Sequence, residues 1–341
     1  MKPFEHQSPP GRALILLVAS FSAACTPPVV VPDAGVVVTW TQAFDTSTTG
    51  WLLNAWGSSP SDVYAVGGRA DGGVLMHFDG ASWKRVEPGL STSLLNWSFG
   101  FSASDVFAVG SEGTVLHFDG TRWSRQPTPT TQPLWGVWGA APNDVWAVGG
   151  NGMPPNATLL HFDGAAWTAV TLPPLQKQRV GQFLKVWGTG ADDVYVVGQR
   201  GVVLHRTQGQ WREEVVGATD DLVSLWGANG VVIAVGGRSN GIVSRWDGTR
   251  WTTQNLAPVL GLNGVWTRDG VTAWVGGVDG TVGRLDVVTL ELTRERSGIS
   301  DDVHGCFGIG STLYAVGGNL QSANPPVYRG VALSRPLPES P

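Results

Sequence analysis

The chain has 341 residues, with 47 Gly and 17 Trp, only 14% charged residues and a formal net charge of −5. A chain of this length can bury a large core, and its glycine and aromatic content favours strands and turns over helices. No basic stretch marks a nucleic-acid surface, so we expect no nucleic-acid partner.

The amino-terminal residues are typical of an export signal. Lys2 and Arg12 flank a polar lead, and an apolar run from residue 13 to residue 24 ends at Cys25. This run is shorter than the ~20 residues that a bilayer span needs, so we predict a signal peptide over residues 1–24. Small residues precede Cys25 as in a bacterial lipobox, with Ser22 where a large aliphatic residue usually stands. We predict a lipid on Cys25, and the alternative is an ordinary cleavage site with an incidental cysteine.

A proline-rich tether is predicted over residues 25–35. Proline-rich linkers are extended and semi-rigid, so this segment would hold the next domain away from the membrane. We therefore expect a protein of the cell envelope that is anchored by lipid, with the outer membrane favoured because Thr26 rather than Asp follows the cysteine. A secreted protein is the alternative.

One unit recurs seven times in the rest of the chain. It begins with an aromatic residue, usually followed by Gly, and continues through a turn into an apolar strand. The leading aromatics are Trp56, Phe99, Trp138, Trp187, Trp226, Trp266 and Phe307. Their spacings are 43, 39, 49, 39, 40 and 41 residues, and a period of about 40–45 residues with four short strands, A to D, is typical of propeller blades. We predict an all-β, seven-bladed β-propeller of four-stranded blades over residues 36–335, with a tail at 336–341.

The two ends of the repeat region are predicted to complete each other. Residues 36–44 contain Trp40 at the distance from Trp56 that separates a strand-D aromatic from the next strand-A aromatic. This segment is therefore a strand D without its own A, B and C. The last blade lacks a strand D, so we expect the amino-terminal strand to fill the gap and cover the open sheet edge.

The histidines and aspartates that recur in the repeat are interpreted as structural residues of the blades. Four histidines share one strand-C position, and four aspartates share the position after the A–B turn: His77, His117, His161 and His205, with Asp62, Asp105, Asp144 and Asp193. Equivalent positions in different blades point outward around a ring and do not converge on one ion, so we predict no metal site and expect no cofactor. We expect the aspartates to hydrogen-bond the turn backbone.

Ligand-binding candidates lie on the face that carries the B–C and D–A loops, around the mouth of the central channel. The candidates in the B–C loops are Arg69, Asp71, Glu112, Asn151, Arg200, Arg238 and Asp279. Trp51, Trp97 and Trp135 lie outside the repeat positions, at the start of strand A in the first three blades. They suggest an aromatic platform for a glycan or a peptide. The alternatives are solvated turns and extra packing under the longer D–A loops.

The repeat also resembles a known pattern. Residues 143–149, Asn-Asp-Val-Trp-Ala-Val-Gly, and residues 113–123, Gly-Thr-Val-Leu-His-Phe-Asp-Gly-Thr-Arg-Trp, are similar to repeats in bacterial cell-envelope lipoproteins. The pattern is more distantly similar to kelch repeats and to the Asp-box (BNR) repeats of sialidases, although the Asp-box serine is missing here. The resemblance implies a propeller that is held at the cell envelope.

Two functions are expected from these observations. The first is a non-catalytic binding or scaffold module, monomeric, that recognises a glycan or an envelope protein. The second is a glycoside hydrolase or lyase of sialidase-like type, which needs several convergent arginines and a tyrosine or carboxylate nucleophile. Arg69, Arg200 and Arg238 would supply the arginines. All four tyrosines fall within predicted strands, which favours binding over catalysis.

Overall fold

The computed structural model describes residues 39–154, 156–176, 179–320 and 328–338. These residues form seven separate antiparallel sheets of four strands each. The first strand of each sheet packs against the first strand of the next sheet, and the first strand of the seventh sheet packs against that of the first. The predicted seven-bladed β-propeller is therefore confirmed.

The strands follow one another in the order A to D within each blade. A short strand precedes the first blade: β1 (Thr41–Gln42). Blade 1 contains β2 (Trp51–Ser59), β3 (Asp62–Arg69), β4 (Gly72–Phe78) and β5 (Trp83–Val86). Blade 2 contains β6 (Leu95–Ser102), β7 (Asp105–Gly110), β8 (Val115–Phe118) and β9 (Trp123–Gln126). Blade 3 contains β10 (Leu134–Ala141), β11 (Asp144–Gly149), β12 (Thr158–Phe162) and β13 (Trp167–Ala169).

The remaining blades repeat this arrangement. Blade 4 contains β14 (Phe183–Gly190), β15 (Asp193–Gly198), β16 (Val203–Thr207) and β17 (Gln210–Glu214). Blade 5 contains β18 (Leu222–Ala228), β19 (Val231–Gly236), β20 (Ile242–Trp246) and β21 (Trp251–Asn255). Blade 6 contains β22 (Leu262–Thr267), β23 (Thr272–Gly277), β24 (Val282–Asp286) and β25 (Leu292–Glu295). Blade 7 contains β26 (Val303–Ile309), β27 (Thr312–Gly318), β28 (Gly330–Pro336) and β1.

The ring closes where β1 pairs with β28. Thr41 lies opposite Ser334, and the Ala43 N–H donates to the Ala332 carbonyl at 2.8 Å. Trp40 is buried, and its Nε1–H donates to Glu295 Oε2 of blade 6 at 2.9 Å. The predicted completion of the last blade is confirmed, although the paired strand is two residues long and residues 36–38 lie outside the described residues.

The carboxy-terminal end is also tied to the ring. Arg335 of β28 forms a buried ion pair with Glu295, the residue that accepts from Trp40. Strand β28 continues to Pro336, and the Leu337 N–H donates to the Ser311 carbonyl at 2.7 Å. The sheet therefore extends one residue past the predicted end of the propeller at residue 335.

In blades 2, 4, 5 and 7, the glycine after the leading aromatic makes room for the leading aromatic ring of the preceding blade. A Cβ on Gly100 would lie 2.7 Å from Trp56 Cη2, and one on Gly188 would lie 2.8 Å from Trp138 Cη2. Gly227 and Gly308 face Trp187 and Trp266 in the same way. The aromatic–glycine pair is therefore an inter-blade packing motif, with the ring supplied by one blade and the gap by the next.

The repeated histidines and aspartates pair with each other inside their own blades. Each histidine Nε2 lies 2.7 or 2.8 Å from the Oδ1 of the aspartate in that blade. Three of these histidines stack on the strand-B aromatic, as His77 does on Tyr64 with centroids 4.4 Å apart. The predicted structural role of the histidines fits this geometry. The predicted aspartate partner was wrong, because these four carboxylates meet a histidine and not the turn backbone.

Some predictions concern residues that the structure does not describe. The predicted signal peptide, the tether and Cys25 all lie in residues 1–38, which are not described. Among the described residues, no helix has the length and apolar character needed to cross a membrane.

Candidate functional site

A β-bulge occurs at the same place in the first strand of every blade. In each case one residue has no partner across the A–B ladder, and it lies three positions before the leading aromatic of that blade. The seven bulged residues are Leu53, Asn96, Trp135, Leu184, Val223, Asn263 and His304. Bulges bend a strand and re-aim a side chain, and they are frequent beside binding sites.

All seven bulged residues line one central cavity of about 500 Å³. The loops of the predicted binding face complete its walls, with Gln182, Asp221 and Asp302 from the D–A loops and Arg238 and Leu320 from the B–C loops. Ligand pockets for small molecules typically occupy about 300–1,000 Å³. The cavity therefore has the size of a ligand site at the predicted position, the mouth of the channel.

The opposite end of the channel is closed by an aromatic floor. The floor consists of the leading aromatics, of which Trp56, Trp138, Trp187, Trp226 and Phe307 surround a void of about 10 Å³. Neighbouring rings lie close together, as Trp56 and Phe99 do with centroids 6.0 Å apart. A void of this size holds about one water molecule. Among the described residues, the central cavity is therefore a blind pocket that opens toward the loops.

Lys185 is the one buried lysine among the described residues, and it lines the central cavity. It follows the bulge of blade 4, and its Nζ reaches into blade 3, where it donates to the Trp135 carbonyl at 3.0 Å. The same Nζ lies 3.7 Å above the ring of Trp97 in blade 2. Close approach of the strands at Gly136, where a Cβ would lie 3.1 Å from the Lys185 Cα, allows this reach. Burial lowers the pKa of Lys185 to about 7.

Asn96 places a second polar group beside Lys185. Its Nδ2 donates to the Leu134 carbonyl at 2.8 Å, one residue before the carbonyl that Lys185 uses. The side chain is 2% exposed, and its Oδ1 has no hydrogen-bond partner among the described residues. A buried acceptor without a donor is costly, by ~1–3 kcal/mol. A ligand that donates a hydrogen bond to this oxygen would therefore be favoured.

Carboxylates organise the mouth of the cavity. Asp221 accepts from the Arg238 guanidinium at 2.8 Å and from the Arg200 backbone N–H at 2.9 Å. Asp302 accepts from the Asp279 backbone N–H at 3.0 Å. Arg200 and Asp279 occupy left-handed backbone positions, with φ of 60° and 53°, in equivalent B–C turns. The D–A carboxylates thus fix the B–C loops around the opening.

His304 is the bulged residue of blade 7, and its imidazole is a titratable group in the cavity wall. Its Nε2 lies 2.9 Å from the Gly318 carbonyl, which makes this nitrogen the donor and leaves Nδ1 as the acceptor. Burial lowers the pKa of His304, and the positive charge of Lys185 acts in the same direction. The ring is therefore held in its neutral form near neutral pH.

The structure separates the three candidate tryptophans. Trp135 is half-buried and lines the cavity, with its Nε1–H donating to the Gly150 carbonyl at 3.0 Å. Trp51 and Trp97 are each only 8% exposed. Trp51 packs on Tyr328, and Trp97 lies under Lys185. The three rings occupy different register positions, and Trp51 and Trp97 are packed inside the fold rather than exposed beside Trp135.

The loop candidates are spread around the same face. Arg238 lines the cavity, but the remaining loop candidates are not among the residues that line it: Arg69, Asp71, Glu112, Asn151, Arg200 and Asp279. Arg69 lies over the Tyr328 ring, 5.5 Å from its centroid, and Glu112 Oε2 accepts from Ser93. Asn151 closes its own loop by accepting from the Met153 N–H at 3.0 Å. The three arginines proposed for a sialidase-like site are therefore not brought together in the cavity.

Sequence reasoning found Trp135 and Arg238 but missed the other polar residues of the cavity wall. Lys185, His304 and Asn96 did not stand out because each lies in an otherwise apolar strand. Counting three residues back from each leading aromatic would have found the bulged set directly. Tyr328, predicted within the last strand, lies two residues before β28 and packs on Trp51.

The described residues contain no group of three or more His, Cys, Asp or Glu side chains arranged to hold a metal ion. Each histidine–aspartate pair lies within its own blade. These pairs are therefore part of the blade structure and do not form a common centre.

Comparison with known proteins identifies similar folds. No protein-family model and no curated protein matches the chain. The solved structure of YCF48 bound to a D1 peptide has 15% identity and a TM-score of 0.65, over 92% of this chain and 100% of that chain. A streptogramin B lyase has 11% identity and a TM-score of 0.68, over 87% of this chain and 97% of that chain.

A second lyase structure has the same fold. A catalytically inactive virginiamycin B lyase from Staphylococcus aureus with quinupristin has 12% identity and a TM-score of 0.61, over 87% of this chain and 98% of that chain. At these identities the similarity shows the propeller fold alone, because one fold supports unrelated functions.

Proposed function

We propose that this propeller is a non-catalytic binding module that takes part of a protein partner into its central cavity. The observation that carries the proposal is the blind pocket of about 500 Å³, to which every blade contributes one bulged side chain. Wall residues that differ from blade to blade are what a specific site requires, whereas residues that build the blades repeat.

Exposed apolar side chains on the loop face favour a protein over a glycan. Met153, Leu260 and Leu320 lie in the loops of the binding face and are 63%, 38% and 37% exposed. Large apolar side chains on a loop face are typical of protein-binding surfaces. One of the structural neighbours, YCF48, is itself bound to a peptide.

The proposed location is the cell envelope, with the chain anchored through lipid on Cys25 and the outer membrane favoured. The support is the sequence before residue 26, with its basic lead, its short apolar run and its small residues ahead of the cysteine. Metabolic labelling of the expressed chain with a radioactive fatty acid tests this location. Cys25→Ser should abolish the label, and an equal label on the variant would contradict the proposal.

Binding through the cavity is tested by screening the full chain on peptide and glycan arrays. Val223→Arg places a long side chain in the central cavity and should remove binding to the hits. Val288→Arg is the matched control, because Val288 is 72% exposed and lies in a C–D turn on the opposite face. If Val223→Arg folds normally and binds as well as the control, the cavity is not the binding site.

Catalysis is the second candidate, and one observation favours it. Lys185 has a pKa lowered to about 7 by burial, and a buried lysine of this kind can act as a general base. Two lyases share the fold. Incubation of the full chain with streptogramin B antibiotics and with sialosides, followed by mass spectrometry, tests this candidate. Turnover that is lost in Lys185→Met but kept in Lys84→Met would establish it over the binding proposal.

A further inference from the structure

We infer that the central cavity recognises the free carboxy-terminal residue of a peptide, with its carboxylate on Lys185 and its last amide N–H on Asn96 Oδ1. This inference rests on the proposed binding function and names the part of the partner that enters the pocket.

The shape of the channel favours a chain end. The aromatic floor narrows the channel to a void of about 10 Å³, so a polymer cannot thread through it. A segment from the middle of a chain would have to enter and leave by the same mouth. A terminus fits a blind pocket because only one strand of backbone passes the opening.

The charge at the base of the pocket selects the carboxylate end. The Lys185 ammonium has three donor hydrogens, and among the described residues the Trp135 carbonyl is its hydrogen-bond acceptor. None of the ion pairs between described residues includes Lys185. A charge buried without a counter-ion is costly, and a ligand carboxylate would supply one.

The position of Asn96 adds the second contact. Asn96 and Lys185 bond the consecutive carbonyls of Leu134 and Trp135, so the two side chains lie in the same sector of the cavity. The unpartnered Asn96 Oδ1 needs a donor. In the last residue of a peptide, an amide N–H and a carboxylate are attached to the same Cα, which matches an acceptor beside a cation.

The rest of the wall favours an apolar side chain on that residue. Leu53, Leu184, Val223, Val278 and Leu320 line the cavity together with Trp135. Asp221 and Asp302 balance the charges of Arg238 and Lys185 in the cavity lining, so the cavity has no excess positive charge for a polyanion such as a uronic-acid polymer. An apolar last residue has one charged group, its carboxylate, and that single charge passes the mouth to reach Lys185.

Calorimetry of the full chain with three small probes tests the inference. The probes are acetyl-Gly-Leu, its carboxamide, and the ester analogue in which oxygen replaces the last N–H. The acid should bind, the amide should bind at least about tenfold more weakly, and the ester at least about fivefold more weakly. This comparison uses the unmodified protein, so it does not depend on whether a variant folds.

Two variants assign the contacts. Lys185→Met should remove the preference for the acid over the amide, whereas Lys84→Met, at an exposed lysine paired with Asp79, should keep it. Asn96→Leu should bind the peptide and the ester equally. If the residue has only a structural role, its substitution should weaken the binding of all three probes equally.

Affinity for the acid should fall as the pH rises above about 7, because the free protein then loses the Lys185 proton that the carboxylate requires. His304, Asp221, Asp302 and Arg238 also face the cavity, so the pH profile is compared with that of His304→Asn, which should keep the fall.

Equal binding of acid and amide overturns the inference, as does binding of oligogalacturonate without binding of any peptide. If such a ligand is lost in Val223→Arg, the proposed binding function stands and only the ligand class is wrong. If no ligand depends on the cavity, both proposals fall.

Discussion

Substitution of Trp40 by alanine tests whether β1 holds the ring closed. Trp40 is 7% exposed and packs between blade 7 and blade 6. A tryptophan buries about 150–250 Å², which at ~25 cal/mol per Å² gives an upper figure of roughly 4–6 kcal/mol. Truncation of a buried tryptophan typically costs ~3–5 kcal/mol. We therefore expect Trp40→Ala to lower the free energy of unfolding by about 3–5 kcal/mol.

The assay is urea unfolding followed by tryptophan fluorescence, with Trp123→Ala as the control. Trp123 is 6% exposed and also begins a strand D, but its strand is continuous with its own blade. Both variants should lose similar stability. Only Trp40→Ala should also speed hydrogen exchange at the Ala43 amide, which donates to Ala332 across the closure. A loss below about 1 kcal/mol, or slow exchange at Ala43, would refute the closure argument.

Three further predictions follow from packing and titration. Gly188→Ala should cost about 1–3 kcal/mol in urea unfolding, because its Cβ would lie 2.8 Å from Trp138 Cη2; Gly190→Ala in the same strand should change little, since a Cβ there meets nothing within 4 Å. Cys306, whose pKa burial raises to about 12, should resist iodoacetamide at pH 8 until the protein unfolds, as read by peptide mapping; rapid labelling of folded protein would contradict its burial. The hydrogen bond from His205 lowers the pKa of Asp193, so this carboxylate stabilises the fold above the ordinary aspartate pKa of ~4 and loses that effect as the pH falls through its folded value. Asp193→Asn should therefore reduce stability by roughly 0.5–1 kcal/mol at pH 7, with a difference that shrinks toward pH 3; a difference that grows in acid would contradict the assignment.

The fold was predictable because its determinants repeat. A leading aromatic occurs once in every blade, so its period reports the number of blades directly. At four of the blade boundaries it also packs on the glycine of the next blade. The closure was predictable because Trp40 has the same spacing from Trp56 that Trp123 has, within one residue, from Trp138. Repetition thus revealed what the blades share.

The cavity was harder to predict for two reasons. Its wall residues differ between blades, and the bulge in each strand A shifts by one residue the position that faces the channel. A bulge changes which side chain points into the channel without changing the composition of the strand. Trp51 and Trp97 were grouped with Trp135 by their nearness to the start of strand A, but only Trp135 occupies the bulge. Lys185 was missed because one lysine within an apolar strand carries no pattern.

The bulge in each first strand gives the pocket wall unusual freedom to change. A bulged residue has no partner across the ladder, so its replacement leaves the pairing of the sheet intact. The seven wall positions can therefore diverge one at a time while the packing between blades stays constant. Duplicated copies of such a chain would be able to acquire new ligands through a handful of point mutations, with the scaffold insulated from each change.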